Sequence, residues 1–425
     1  MELENSEEPP DRFKMVTIIC LLQGVGVLIS WHMFINAWDY FTDYKLCHIN
    51  GTDKVPSPYV GYFMQYLTFT AQLPNVIFTF INAFVRIGGG LSFRILGSLS
   101  IVLAVFIFTL TLSFIEMENV GAFFWMTMCS VALMQVFNAI YQNSLMGMAA
   151  ILPPWYIGYI IIGNNVCGTF TSITKLVSKS IGGNHKATAI YYFSTAIFVL
   201  VVCLVVLILL KLIRFYKYYL DVHTAYRHRS TFFSAHEPAQ ERPYWLLIKQ
   251  TSTQLYNVFM TFMVTLTCFP AILSNIKSGD DNFFISTNYY GDVMCFLNFN
   301  VSAMIGSIVG GFYVFPKPRF IWIAVTIRII FIPIFLFCNY TPPVPDEARR
   351  VGVLIYNDYV YLIFGMVHGF TCGYYTSACL MIIPGMVDKQ YAHIAGMLGG
   401  VVLILGIFFG IMLAFLWPLI MWESV

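Results

Sequence analysis

Residues 188–213 read TAIYYFSTAIFVLVVCLVVLILLKLI, and residues 214–230 that follow read RFYKYYLDVHTAYRHRS. The first stretch holds a single charged residue, Lys211, close to its end. About 20 mostly apolar residues in a helix cross the ~30 Å hydrocarbon core of a bilayer. A helix this long and apolar on every side belongs in lipid or in a very large core. The abrupt change to Arg, Lys, His and Tyr marks a membrane surface, where basic residues collect on the cytoplasmic side. The fold class expected from this junction is all-α, a polytopic transmembrane helix bundle.

Composition extends the reading to the whole chain. Of 425 residues, 58% are hydrophobic and 10% charged, where a soluble domain carries about 25% charged residues. A net charge of +2 gives no support for nucleic-acid binding. The opening MELENSEEPPDRFK is acidic and polar, unlike a basic leader, so the first apolar run is expected to be retained. The cysteines lie mostly inside apolar runs with no CxxC or Cys/His metal spacing, so no metal or cofactor site is expected. Eleven spans are expected, at 15–39, 58–84, 95–115, 121–150, 155–178, 188–213, 252–273, 289–314, 319–338, 358–383 and 392–418.

With the N-terminus inside, fourteen of the 23 Lys and Arg fall in inner loops and eight on the outer side, and Arg328 is intramembrane. That bias predicts a cytoplasmic N-terminus, and an odd span count puts the C-terminus outside. Asn50-Gly51-Thr52 is then an outer glycosylation sequon. Asn339-Tyr340-Thr341 is a poorer acceptor because it abuts a span. The polar segment 214–250 divides the chain into a six-helix bundle (1–213) and a five-helix bundle (251–425). This 6+5 layout is major-facilitator-like, with a binding site expected between the bundles. Basic residues at the inner surface can touch membrane lipid.

Intramembrane polar residues are costly and therefore functional candidates. The charged or ionisable ones are His32 and Asp39 in the first span, Lys175 in the fifth, Asp292 in the eighth, Arg328 in the ninth and His368 in the tenth. Arg328 is either a cation lining a permeation path or a clamp on backbone carbonyls of neighbouring helices. His368 reads as a helix-packing histidine. In the fourth span Gln135, Asn138 and Gln142 recur at spacings of three and four, so they share one helical face. With Gly163-Asn164-Asn165 and Asn298-Phe299-Asn300, they suggest a wet cavity.

The motifs now resemble one family over nearly the whole chain, the equilibrative nucleoside transporters. GVGVLISWHMFINAWDYF resembles the family's first helix, GNNVCGTFTSI from Gly163 its fifth, and Phe269-Pro270-Ala271 its seventh. RIIFIPIFLFCNYTP from Arg328 resembles its ninth, and GFTCGYYTSACLMIIP from Gly369 its tenth. The resemblance implies a facilitative carrier of nucleosides or nucleobases, working by alternating access, with no enzymatic activity; the outer sequon and the absence of an obvious retention signal point to the plasma membrane. The resemblance also implies that Leu28 and Trp31 line a base pocket and that Gln142 reads the base. His32 stands where the family has Asn, and Asn138 and Ser144 share the neighbourhood of Gln142. Asn300 and Arg328 complete the implied substrate site.

One departure is plain. The family's eighth helix shows Asn-x-x-Asp-x-x-Gly-Arg, and here Asn300 and Gly306 remain while Ala303 and Ser307 replace both charges. A second reading follows, a non-transporting or altered-substrate relative on the same scaffold. A membrane enzyme is a third, and the spans hold no clustered acid/base pair to support it.

Overall fold

The computed structural model describes residues 9–37, 40–50, 53–57, 59–60, 63–85, 90–115, 119–181, 185–233, 243–280, 283–340, 348–350 and 352–423. The first bundle consists of α1 (Met15–Asn36), α2 (Phe63–Phe84), α3 (Leu91–Phe114), α4 (Val120–Ala149), α5 (Trp155–Ile181) and α6 (His185–Leu210). A further helix, α7 (Arg214–Phe233), precedes the second bundle. That bundle holds α8 (Tyr244–Cys268), α9 (Asn298–Phe312), α10 (Ile321–Ile327), α11 (Phe331–Leu336), α12 (Asp358–Ile382) and α13 (Ala392–Ala414). The short helix Thr287–Gly291 and a π-helical stretch, Asp292–Leu297, run on into α9 as one span. α10 and α11 are two halves of another span, joined by a 3-10 turn at Arg328–Ile330. Pro333 explains the break: it has no N–H to return to the Ile329 carbonyl, so the helix tightens just before it.

Nine described stretches are long and apolar enough to cross a membrane. α2 and α5 are also of spanning length, at 22 and 27 residues. Their lower hydropathy comes from Gln72, Asn75 and Asn82 in α2 and from Asn164, Asn165, Lys175 and Lys179 in α5. With these two, the eleven spans of a 6+5 helix bundle are present among the described residues. In lipid such amides need protein partners. Asn82 Nδ2 accordingly donates to the Ile140 carbonyl at 3.2 Å and to Ser144 Oγ at 3.1 Å, and Asn143 Nδ2 to the Thr79 carbonyl at 3.3 Å. Those bonds join α2 to α4.

Within the first bundle α1 packs on α5 and α6, while α4 packs on α2 and α3. Within the second, α9 packs on α12 and α8 on α13. Between bundles, α5 meets α9 and α12, and α13 meets α2 and α4. The closest crossings use glycine, because lipid supplies no hydrophobic drive between helices and close backbone packing must do the work. A Cβ on Gly24 would collide with the Ile160 carbonyl, and one on Gly163 with the Leu21 carbonyl. Cβ atoms on Gly306 and Gly373 would strike the carbonyls of Phe370 and Ala303 in the same way.

The segment 214–250 differs from a plain loop. α7 lies against the first bundle through Phe215, whose ring centroid is 5.4 Å from that of Tyr156, and Tyr216, whose hydroxyl is 3.4 Å from Ser92 Oγ. Burial pushes the Tyr216 phenol above its ordinary pKa. Further along, His223 Nε2 lies 3.2 Å from His393 Nδ1 at the start of α13, which ties α7 to the other bundle. α8 begins at Tyr244, earlier than 252. Its first residue is anchored to the first bundle, with the Tyr244 hydroxyl donating to the Ala83 carbonyl at 3.1 Å. At the opposite end of the bundle, strands Cys47–Asn50 (β1) and Asp53–Pro56 (β2) form an antiparallel hairpin. Asp39 lies outside the described residues.

The glycine crossings give a direct test. Gly163→Ala should destabilise the α1–α5 contact by about 1–3 kcal/mol, the usual cost of overpacking. Gly97→Ala has open space around its added Cβ and should be neutral or stabilising by up to about 1 kcal/mol, the helix-propensity gain. Thermal unfolding of the purified protein in detergent compares the two. Equal melting temperatures would refute the close crossing.

Candidate functional site

α1 is held on one side by a buried hydrogen-bond set. Gln23 Nε2 donates to the Cys203 carbonyl at 2.7 Å, and the Tyr141 hydroxyl donates to Gln23 Oε1 at 2.6 Å. Gly24 faces α5. A different stripe stays partly accessible: Leu21, Val25, Leu28, His32 and Ile35, spaced four, three, four and three. This is one helical face, and Trp31 flanks it with its own partial exposure. His32 makes no hydrogen bond to another described residue.

On α4, Tyr141 points to α1, while Asn143 and Ser144 point to α2. Gln135, Asn138 and Gln142 lie about one residue's turn, roughly 100°, from Tyr141 and away from α2. Asn138 Nδ2 donates weakly to Gln135 Oε1 at 3.4 Å, and Asn138 Oδ1 is buried without a hydrogen-bond partner. A buried amide oxygen left open costs about 1–3 kcal/mol, so its retention marks a place where a ligand or water would accept the role. Asn164 Oδ1 on α5 is in the same condition. Ser144 is committed to α2 through Asn82 and lies on a different face from Gln142.

The second bundle offers a largely apolar wall. Phe269 and Phe299 stack with centroids 4.0 Å apart, and Phe296 lies edge-on to Phe269 at 5.6 Å. Ala303 and Ser307 are fully buried, with Gly373 of α12 pressed against their backbone. The Ser307 hydroxyl returns to the Met304 carbonyl at 2.8 Å. Asn300 Nδ2 crosses to α5, donating to Ser172 Oγ at 3.0 Å.

Arg328 has the geometry of a clamp. Only 2% exposed, its Nε donates to Thr371 Oγ1 at 3.1 Å and Nη1 to the Thr261 carbonyl at 3.0 Å. Nη2 donates to Thr265 Oγ1 at 2.9 Å and to the His368 carbonyl at 3.3 Å. Three segments, α8, α12 and the 3-10 turn itself, are thereby tied together. The His368 ring sits among Phe331, Phe335 and Phe299, with centroids at 4.9, 5.4 and 5.9 Å.

Leu28, Trp31 and His32 thus share one partly open side of α1, and Asn138 and Gln142 share one face of α4. Ser144, Asn300 and Arg328 are engaged in helix-to-helix bonds. Gln23 and Tyr141, which fix α1, escaped the sequence reading because their partner is 118 positions away. A second group was only half legible. Lys175 and Lys179 of α5 lie 3.4 and 2.8 Å from Asp292 across the bundle boundary.

Residues 128–419 match the family model described as "Nucleoside transporter". The human protein named equilibrative nucleoside transporter 1 is 28% identical over 97% of this chain and 99% of its own length. Human equilibrative nucleoside transporter 2 is 26% identical over 97% of this chain and 99% of its own. The Arabidopsis thaliana protein named equilibrative nucleotide transporter 1 is 24% identical over 98% of this chain and 89% of its own. Among solved structures, the human organic anion transporter MFSD10 (TETRAN) aligns at 12% identity over 96% of this chain and 94% of that one. The TM-score is 0.44.

The clamp makes a sharp expectation. Arg328→Met leaves two carbonyls and two threonine hydroxyls without their donor and should cost about 3 kcal/mol or more, as removal of one partner from a buried charged network does. Folded yield and melting temperature should fall steeply, while solute affinity in the protein that survives stays unchanged. Normal yield with weakened affinity would place Arg328 in the permeation path instead.

Proposed function

The chain belongs to the nucleoside transporter family, and we propose that it carries nucleosides or nucleobases down their gradients by alternating access of a site between its two bundles. The observation that carries this reading is how the charged groups in the described spans are used. Asp292 is paired with Lys175 and Lys179. Asp358 accepts from Ser278 Oγ at 2.7 Å, the Gly279 N–H at 3.2 Å and the Tyr290 hydroxyl at 2.7 Å. Arg328 is spent on helix packing. The two carboxylates and Arg328 are committed within the protein, which supports a carrier of neutral solutes that draws on no ion gradient.

In this reading Leu28 and Trp31 take the flat face of a base. Gln142 and Asn138 read its edge, since an amide both donates and accepts. His32, as a neutral imidazole, donates from one nitrogen and accepts at the other, which is part of what Asn offers. Ser144, Asn300 and Arg328 support the walls that hold this group.

The N-terminus is placed in the cytoplasm and the C-terminus outside, in the plasma membrane. The basic α7 then lies at the inner surface and the β1–β2 hairpin at the outer one. Asn50 ends β1, opposite Asp53, while Gly51 and Thr52 lie outside the described residues. Asn339 is a weaker acceptor, because its Nδ2 donates to the Lys277 carbonyl at 3.2 Å.

Vesicles or oocytes containing the protein should show saturable uptake of at least one nucleoside or nucleobase, unchanged when sodium is replaced by choline. No uptake above control across a purine and pyrimidine panel would refute the carrier reading. Expressed in a glycosylating host, Asn50→Gln should migrate faster on a gel, as the wild type does after glycosidase. Identical mobility of all three would argue against an outer hairpin.

A further inference from the structure

α5 carries a polar stripe, Asn164, Gly168, Ser172, Lys175 and Lys179, at spacings of four, four, three and four, so it lies on one face. Its partner is the span that contains α9. A Cβ on Gly168 would strike Asn300 Oδ1, and Asn300 Nδ2 donates to Ser172 Oγ. One turn further on, Lys175 Nζ lies 3.4 Å from Asp292 Oδ1 and 5.4 Å from the Phe296 ring centroid. Beyond it, Lys179 Nζ lies 2.8 Å from Asp292 Oδ2 and donates to the Asn288 carbonyl at 2.7 Å. The side chains grow more exposed along this line, Lys175 to 22% and Lys179 to 36%. The seam is thus most open at the Lys179 end.

Among the described residues the charges do not balance: one carboxylate faces two ammonium groups. Lys179 has the short, hydrogen-bonded contact and is sufficient to neutralise Asp292. Lys175 makes the longer contact, with an aromatic face as its other support. A net positive charge inside a span is costly. From this surplus we infer that Lys175 is a specificity-determining residue, whose ammonium leaves Asp292 to donate to the 2′,3′-diol of a ribonucleoside. An ammonium has three donors that can bridge two vicinal hydroxyls. The Phe296 ring below offers an apolar surface to the sugar's C–H groups. The bidentate fork that an arginine offers a phosphate is absent.

This inference rests on the carrier reading, and the two fail differently. Uptake kinetics would be measured for uridine, 2′,3′-dideoxyuridine and uracil. Lys175→Gln should raise the uridine KM about tenfold, the weight of one charge-assisted hydrogen bond, and leave the KM values of the other two unchanged. Lys175→Arg should recover most of the loss. Asp292→Asn frees Lys175, so its uridine KM should equal or fall below that of the wild type. Each KM ratio is taken within one variant, so surface amount drops out. If Lys175→Gln alters the three solutes alike or none of them, or if Asp292→Asn reproduces its effect, the triad only joins two helices and the inference is overturned. A wild type that carries uracil but not uridine overturns the sugar contact and spares the carrier. A wild type that carries none of the wider panel overturns both.

Discussion

Lipid offers no hydrogen bonds, so every polar group taken into a span must find its partner inside the protein. The architecture follows from this constraint. It makes the spans helical, and it decides where amides and charges sit. Gln23 is tied to Tyr141 and to the Cys203 carbonyl, which sets α1 against two neighbours. Asn82 and Asn143 lock α2 to α4. Arg328 gathers α8 and α12 around the turn that Pro333 produces. Once these bonds are made, the polar groups that remain open, such as Asn138 Oδ1 and Asn164 Oδ1, stand out as candidates for a transient partner.

The two boundaries between the bundles are built differently. Along α5 and the span of α9 the contact is polar, from Ser172–Asn300 out to the Lys179–Asp292 pair. Along α2 and α13 the halves nearer the β1–β2 hairpin part around a crevice of about 300 Å³ lined by Tyr66, Phe69, Phe408 and Phe415. At the other end the boundary is shut: Cβ atoms on Gly396 and Gly400 would press on Met146, Ala150 and Asn143 of α4. Tyr244 and the His223–His393 contact close the same end. One boundary is thus polar along its length, while the other is apolar near the hairpin and hydrogen-bonded at the opposite end.

Ala303 and Ser307 matter for packing as much as for charge. With small residues there, Gly373 brings α12 against the backbone of α9. Both are fully buried, so an Asp and an Arg in their place would need partners inside the protein. The second bundle's wall is largely aromatic, with Phe269 stacked on Phe299.

Hydropathy taken together with segment length determined the number of spans and their order, because partition into lipid depends on local composition summed over about 20 residues. It marked Gln135, Asn138 and Gln142 as one face, since helical spacing is a local property. It missed α7 as a helix, because polar, aromatic and basic residues give no clear apolar period there. It started α8 too late, because Tyr244 belongs to the helix through its bond to Ala83 rather than through hydrophobicity. Arg328 stayed divided between path and clamp, and the pairing of Lys175 and Lys179 with Asp292 stayed hidden. Arg328 takes its partners from helices 40 to 67 positions away, and Lys179 meets Asp292 across 113. Only tertiary structure could decide them, because a hydrogen bond or an ion pair depends on distance in space, which sequence spacing sets within a helix and leaves free between helices.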